Sequence, residues 1–237
     1  MVKFFKWKRI LVVLGMVAGV VIISSLTIRW PINTFPAIEG KILDATTGEP
    51  IENVVVSVDW IRSSPGPAGE ITRTIRKDIA ITDKEGKYRI PRLWSLHLFS
   101  VFSRGYIGFY HPLYGSKQAV AARERRKIII GSPALKAYPE EFQSKDGVIH
   151  YDIELLSLQE KYNKPEDNYE LSTEFEVYGR SEYFLMLKKR KIYFDLDKIF
   201  DRWEKLANRF PDEEHFPTLQ RRLKKAKENV GELIGKI

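Results

Sequence analysis

Residues 38–58 read IEGKILDATTGEPIENVVVSV, and residues 81–93 read ITDKEGKYRIPRL. The first begins as a strand through Ile38 and residues 41–44. The strand ends in Ala45, Thr46, Thr47, Gly48, Glu49 and Pro50, a turn in which Gly48 can take positive φ and Pro50 has no donor to give. Val54, Val56 and Val58 then alternate with Val55, Ser57 and Asp59, a period of two with strong β-branching. In the second stretch, Asp83 can bond back to the turn backbone and Gly86 can supply the left-handed residue of a bulged hairpin, with Tyr88 and Ile90 beyond it.

Outward from these two stretches the text stays β-like. Residues 63–69 (SSPGPAG) read as an exposed loop, and strand character returns at 71–75, 79–81, 96–102 and 148–156. Several short strands at this spacing predict a β-sandwich, with Trp60 and Trp94 in its core.

The two stretches resemble the carboxypeptidase regulatory-like domain, a transthyretin-like or prealbumin-like module. Its pattern is matched at Gly40, Asp44, Thr47, Gly48, Pro50, Ile51, Val54 and Val56, then at Thr82, Asp83, Gly86, Tyr88 and Ile90, with Gly105 and Tyr106 as a later GY pair. The similarity covers residues 37–105 and extends to about 157, with residues 107–145 departing from the compact version and the last strand assigned to 148–156. What the resemblance implies is a seven-stranded antiparallel sandwich, within an α+β chain. It implies no activity, because in metallocarboxypeptidases the module sits beside a separate zinc peptidase domain.

Composition narrows the chemistry. A chain of 237 residues with 43% hydrophobic side chains can build a core, and its lack of cysteine excludes disulfides, thiolate metal sites and a cysteine nucleophile. The net charge of +8 sits at the ends: residues 1–36 hold five basic and no acidic side chains, and residues 188–237 hold fourteen against nine. A nucleic-acid partner is not expected, since such proteins gather cations on the folded body.

Residues 10–28 (ILVVLGMVAGVVIISSLTI) carry no charge and as a helix span about 28 Å, close to the hydrocarbon thickness of a bilayer. Lys3, Lys6, Lys8 and Arg9 precede the run and only Arg29 follows, which keeps residues 1–9 in the cytoplasm and exports the rest. Trp7 and Trp30 flank it as interface aromatics. A buried soluble helix and a cleaved signal peptide are the rival readings. The run exceeds the usual h-region and no clean small-x-small site follows, Ser24 and Ser25 being the nearest, so an uncleaved signal anchor over 10–29 is expected. Gly15 and Gly19 form a GxxxG match that supports helix pairing only weakly.

No catalytic constellation is legible. Neither H-x-x-E nor H-E-x-x-H occurs, and His97, His111, His150 and His215 are scattered. Residues 179–183 (GRSEY) miss the final glycine of a nucleophile elbow. Asp195 with Asp197 and Glu213 with Glu214 are acids expected at helix starts from dipole complementarity. No catalytic, metal or cofactor site is therefore expected. The candidate ligand contacts are Tyr106, Tyr110, His111 and Tyr114, aromatic residues between glycines in 105–115. Read as a loop, they either stack on a ligand or cover the open end of the sandwich. Residues 118–126 (QAVAARERR) read as a basic solvated loop or short helix, the other reading being a contact for an acidic partner.

The carboxy-terminal third reads as helices. One opens at Pro165, Glu166 and Asp167 and closes with residues 188–191, with Leu171, Phe175, Tyr178 and Leu185 on one face. Asp195 leads a second, with Leu196, Ile199, Phe200, Trp203, Leu206 and Phe210 at helical spacing. Pro217 starts a third, whose Leu219, Leu223, Ala226, Val230, Leu233 and Ile237 form a seam expected to pack antiparallel on the preceding helix. Its other face carries the basic surface Arg221, Arg222, Lys224 and Lys225, with Lys227, read as a solvated face or an anionic-lipid contact.

The expected organisation is a cytoplasmic stub (1–9), a membrane anchor (10–29), a linker (30–36), the sandwich (37–157) and a helical module (158–237). The expected role is a non-enzymatic binding or scaffolding protein of the cell envelope, contacting the lipid bilayer and a protein or glycan. A structural subunit that forms a homo-oligomer through its terminal helices and membrane helix, and an unrecognised envelope hydrolase, are the alternatives.

Overall fold

The computed structural model describes residues 15–16, 32–66, 69–96, 102–124, 127–131, 140–142, 147–179, 184, 188–189 and 195–234. The expected anchor lies outside them apart from residues 15 and 16, as do Trp7, Trp30 and His97. Among the described residues no helix is long and apolar enough to cross a membrane.

The chain is α+β. Its strands are β1 (Ile32–Phe35), β2 (Ala37–Asp44), β3 (Val55–Gly66), β4 (Gly69–Ile81), β5 (Lys87–Ile90), β6 (Leu93–Leu96), β7 (Phe102–His111), β8 (Tyr114–Glu124), β9 (Lys127–Gly131), β10 (Glu140–Phe142), β11 (Val148–His150) and β12 (Ile153–Leu155). The helices are α1 (Leu158–Lys161), α2 (Asn168–Gly179), α3 (Leu196–Ala207) and α4 (Phe216–Ile234). One sheet has the order β10-β9-β8-β7-β3-β4, a second places β2 between β5 and β11 with β12, and β1 pairs β6. Pairing is antiparallel except where β2 meets β11 and β12. Parallel partners need a long connection, and the chain between β2 and β11 provides one.

The two quoted stretches form the turns their residues called for. Asp44 Oδ1 accepts from the Thr46 and Thr47 amides at 2.8 and 2.9 Å, and Gly48 sits at φ 72°. Asp83 Oδ1 accepts from the Glu85 and Lys87 amides at 3.0 and 2.8 Å, while Gly86 takes φ 70°. Thr82 joins the two stretches: its buried hydroxyl accepts from the Val54 amide and donates to the Ile51 carbonyl, both at 2.8 Å.

Inward-facing residues of both large sheets make one core. Val54, Val56, Val58 and Trp60 meet Ile38, Ile42, Ile90 and Ile149, with Ile107 and Phe109 beside them. Fully burying a side chain of this size contributes roughly 1.5–3 kcal/mol. The Trp60 indole N–H, which burial would otherwise leave unpaired, donates to Asp78 Oδ2 at 2.8 Å. Phe35 on β1 lies 4.8 Å from the Trp60 ring, so the expected linker contributes a core strand. Trp94 corrects its expectation: it is 63% exposed, because Leu93 points inward and alternation turns its neighbour out.

A second core explains Val55. It faces away from the first, into Leu158, Phe175, Trp203, Leu219 and Leu223 of the helices. The six-stranded sheet is thus covered on both faces. Twelve described strands exceed the expected seven, and residues 63–66 and 69 prolong a hairpin instead of looping. The basic stretch from Gln118 to Glu124 lies in β8, whose Ala119 and Ala121 are buried. The helix expected from Pro165 starts as a short 3-10 turn (Pro165–Asp167) before α2. Helix α4 packs on α2 as well as on the preceding α3, correcting the expected simple pair: Arg222 donates to Ser172 Oγ at 2.9 Å, and Gln220 to Asn208 Oδ1 at 2.9 Å.

Candidate functional site

Tyr106, Tyr110 and His111 lie on strand β7 and Tyr114 opens β8, so they do not form a loop. The chain reverses in two residues, Pro112 and Leu113. Nor do the four rings share a face. Ile107 and Phe109 point into the first core, which sends Tyr106 and Tyr110 to the other side of the sheet. Tyr106 is 37% exposed with the Arg104 guanidinium 5.7 Å from its ring centre, whereas Tyr110 packs against the second core. The glycines that suggested a loop are recesses for rings. A Cβ on Gly105 would lie 2.8 Å from the Trp60 ring, and one on Gly108 would lie 2.4 Å from the Tyr110 ring.

His111 is 6% exposed, and its Nδ1 accepts from the Leu113 amide at 3.2 Å. Burial pushes the imidazole down to about 3, so it is neutral at ordinary pH and holds the reversal. Its ring lies 5.1 Å from Tyr114. The Tyr114 hydroxyl donates to Asp44 Oδ2 at 2.9 Å; partial burial and that carboxylate raise the phenol to about 12. Slight burial works to raise the Asp44 carboxyl, but the Thr47 and Thr46 amides and Tyr114 outweigh it and hold it below the usual range. Glu160 is likewise lowered, chiefly by the Ser157 hydroxyl, in a capping box that starts α1.

The Leu158 amide donates to the Leu113 carbonyl at 3.0 Å and sets the hairpin tip against α1, beside a groove of about 520 Å³. Its floor is Leu113, Leu158, Trp203 and Leu206, and the Trp203 indole N–H donates to the Pro112 carbonyl at 2.7 Å. Its rim carries Arg202, Lys205 and Arg209, with Ser157 and Gln159 opposite. A step of three puts Arg202 and Lys205 on one side of α3, and Arg209 follows just past the helix end at Asn208. Lys205 pairs with Asp201 at 2.7 Å, and among the described residues no carboxylate lines the groove. Sequence reading passed over this set: the spacing was visible beside the stripe of Ile199, Trp203 and Leu206, but its position at the hairpin tip was not.

Under the tip lies a buried cluster with no sequence signal, since it joins three separated segments. Glu174 Oε1 accepts from the Ser116 amide at 3.1 Å, from Lys161 Nζ at 2.7 Å and from the Tyr162 hydroxyl at 2.7 Å. Burial and that carboxylate push the Tyr162 phenol strongly up.

The basic surface of α4 is not uniform. Arg222 turns toward α2, with Glu176 at 3.4 Å; Lys224 pairs with Glu228 at 4.0 Å, and Lys227 pairs with Glu204. Arg221 and Lys225 line a separate recess. The seam of Leu219, Leu223, Ala226 and Val230 is buried within the chain, so among the described residues it presents no free face for self-association. His150 and His215 stand apart, and among the described residues no group of three His, Asp or Glu side chains is placed to hold a metal ion.

The chain matches no protein-family model and no curated protein. Among solved structures it is similar to 3-chlorocatechol 1,2-dioxygenase from Rhodococcus opacus, at 13% identity and a TM-score of 0.33, covering 53% of this chain and 60% of that one. A chlorocatechol 1,2-dioxygenase from Pseudomonas putida matches at 12% and 0.32, covering 53% and 59%. The pilus adhesin from Streptococcus pneumoniae matches at 13% and 0.30, covering 52% and 15%. The chain thus spans less than two thirds of the length of each.

Proposed function

We propose that this chain is a membrane-anchored envelope protein whose transthyretin-like sandwich and helical module act as one non-enzymatic binding unit for an acidic, partly apolar segment of a partner protein. The carrying observation is the groove at the β7–β8 tip, with an apolar floor and Arg202, Lys205 and Arg209 on its rim. Such a groove suits an extended peptide that buries alternate apolar side chains and meets cations with its carboxylates. Support for the sandwich comes from the two quoted turns and from a core shared by both large sheets. Support for the membrane placement comes from the uncharged run of residues 10–28 and the cations before it.

The test uses full-length protein in neutral detergent and a fluorescent peptide of alternating Glu and Leu. Saturable binding that Arg202→Glu with Arg209→Glu abolishes supports the reading. Binding that is indifferent to those changes sinks it, and so does preference for an anionic glycan over the peptide. Protease accessibility of residues 32–234 in intact against permeabilised cells tests the placement separately.

A further inference from the structure

We propose that the recess between α2 and α4 holds the phosphate of an anionic phospholipid headgroup, docking the helical module on the bilayer. The choice of a lipid as the phosphate's source rests on the membrane placement proposed above. The recess has a volume of about 490 Å³, with Phe175 and Ala226 at its base and Arg221, Arg222 and Lys225 around it.

Its cations differ from the others of α4. Lys224 and Lys227 each have a carboxylate partner, whereas neither Arg221 nor Lys225 has an ion-pair partner among the described residues. Arg221 and Lys225 stand four residues apart on one helix face, a like-charge spacing that disfavours the helix unless an anion sits between them. Arg222 is held in place by Ser172 Oγ at 2.9 Å and Thr173 Oγ1 at 3.4 Å. Its guanidinium is therefore fixed at the edge of the recess, between α2 and α4, before a ligand arrives, which lowers the ordering cost of binding. Among the described residues Glu176 is the one acidic side chain lining the recess, and Arg222 Nη2 at 3.4 Å already offsets it. The remaining charge there is positive, and planar guanidinium donors fit phosphate oxygens. The apolar base accommodates the first acyl-chain carbons of a phospholipid, which inorganic phosphate lacks.

Full-length protein in neutral detergent is titrated with phosphatidylglycerol and with phosphatidylcholine of the same chain length, and bound lipid is counted by native mass spectrometry. The expected result is preferential retention of phosphatidylglycerol. Each cation near an anionic surface contributes about fivefold in affinity, so Arg221→Gln with Lys225→Gln weakens retention by about 30-fold. Lys224→Gln, outside the recess, changes it less than twofold. Thermal midpoints no lower than the parent's verify that both variants fold. Equal retention of the two lipids overturns the proposal, as does indifference to the double substitution. Displacement of the lipid by millimolar inorganic phosphate also overturns it, marking a free-anion site instead. Extraction of the chain from membranes by alkaline carbonate reports on the anchor alone, so failure of the membrane reading is scored apart from failure of the recess.

Discussion

Trp203 of α3 donates its indole N–H to the Pro112 carbonyl at the tip of the β7–β8 hairpin, at 2.7 Å and with the residue 1% exposed. One bond thus ties the helical module to the sheet at the wall of the candidate groove. Replacing Trp203 by Phe keeps an aromatic ring but leaves that carbonyl unpaired, at a cost of about 1–3 kcal/mol. Trp203→Ala adds a cavity and costs about 3–5 kcal/mol. Denaturant titration followed by near- and far-ultraviolet circular dichroism checks both. A single transition is expected for the parent, and helix loss ahead of sheet loss for the alanine variant.

Gly40 faces a carbonyl instead of open space. A Cβ there would lie 1.9 Å from the Tyr151 oxygen, which accepts from the Tyr88 hydroxyl at 2.6 Å. At the same point Asp152 replaces a strand carbonyl by accepting from the Lys41 amide at 2.7 Å. Gly40→Ala must push β2 away from the break between β11 and β12. The expected loss exceeds about 3 kcal/mol, near the top of the range for overpacking. Gly48→Ala is a milder comparison, since only its positive φ is strained and nothing crowds the site. Thermal midpoints should rank parent above Gly48→Ala above Gly40→Ala.

Glu174 tests how firmly α2 is held to β8. Its carboxylate is 5% exposed against 31% for Lys161. Glu174→Gln leaves the Lys161 ammonium half-buried without its counter-charge, and a loss of about 1–3 kcal/mol is expected. Lys161→Met in the Glu174→Gln background should recover most of it, because removing both charges spares their desolvation. A double-mutant cycle by urea denaturation measures the coupling, and additive losses would contradict it.

Acid should loosen the hairpin tip through His111. Its folded-state value is depressed to about 3 from 6.5, so as pH falls below 6.5 the unfolded chain takes up a proton that the folded chain refuses. This stability is fully present above 6.5 and is lost toward pH 3, with a slope of up to about 1.4 kcal/mol per pH unit. His111→Asn keeps a short acceptor for the Leu113 amide and removes the titration. Its unfolding free energy should vary less between pH 6.5 and 4 than the parent's. Asp44, lowered by the turn amides, contributes in the same direction only below about 3.8.

Local chemistry was readable wherever it acts over a few residues. The Asp44–Gly48 and Asp83–Gly86 turns follow from side chains that reach backbone two to four positions away and from glycines at positive φ. The alternation of Val54, Val56 and Val58 likewise states which residues share the first core, and the helical spacing of Ile199, Trp203 and Leu206 states which side of α3 is buried.

Tertiary structure alone decided what those faces meet. Glycine and aromatic residues in 105–115 have loop composition, yet Gly105 and Gly108 sit in a strand because rings from Trp60 and Tyr110 fill the space their missing side chains leave. Nothing local announces that Val55 belongs to a second core, that Glu174 meets Lys161 and Ser116, or that Arg202, Lys205 and Arg209 rim a groove at a hairpin tip. Turn and helix preferences are set by neighbours along the chain, so they are written in sequence. A groove is made by segments far apart in sequence whose buried faces must close on one another, and its shape exists only once they have.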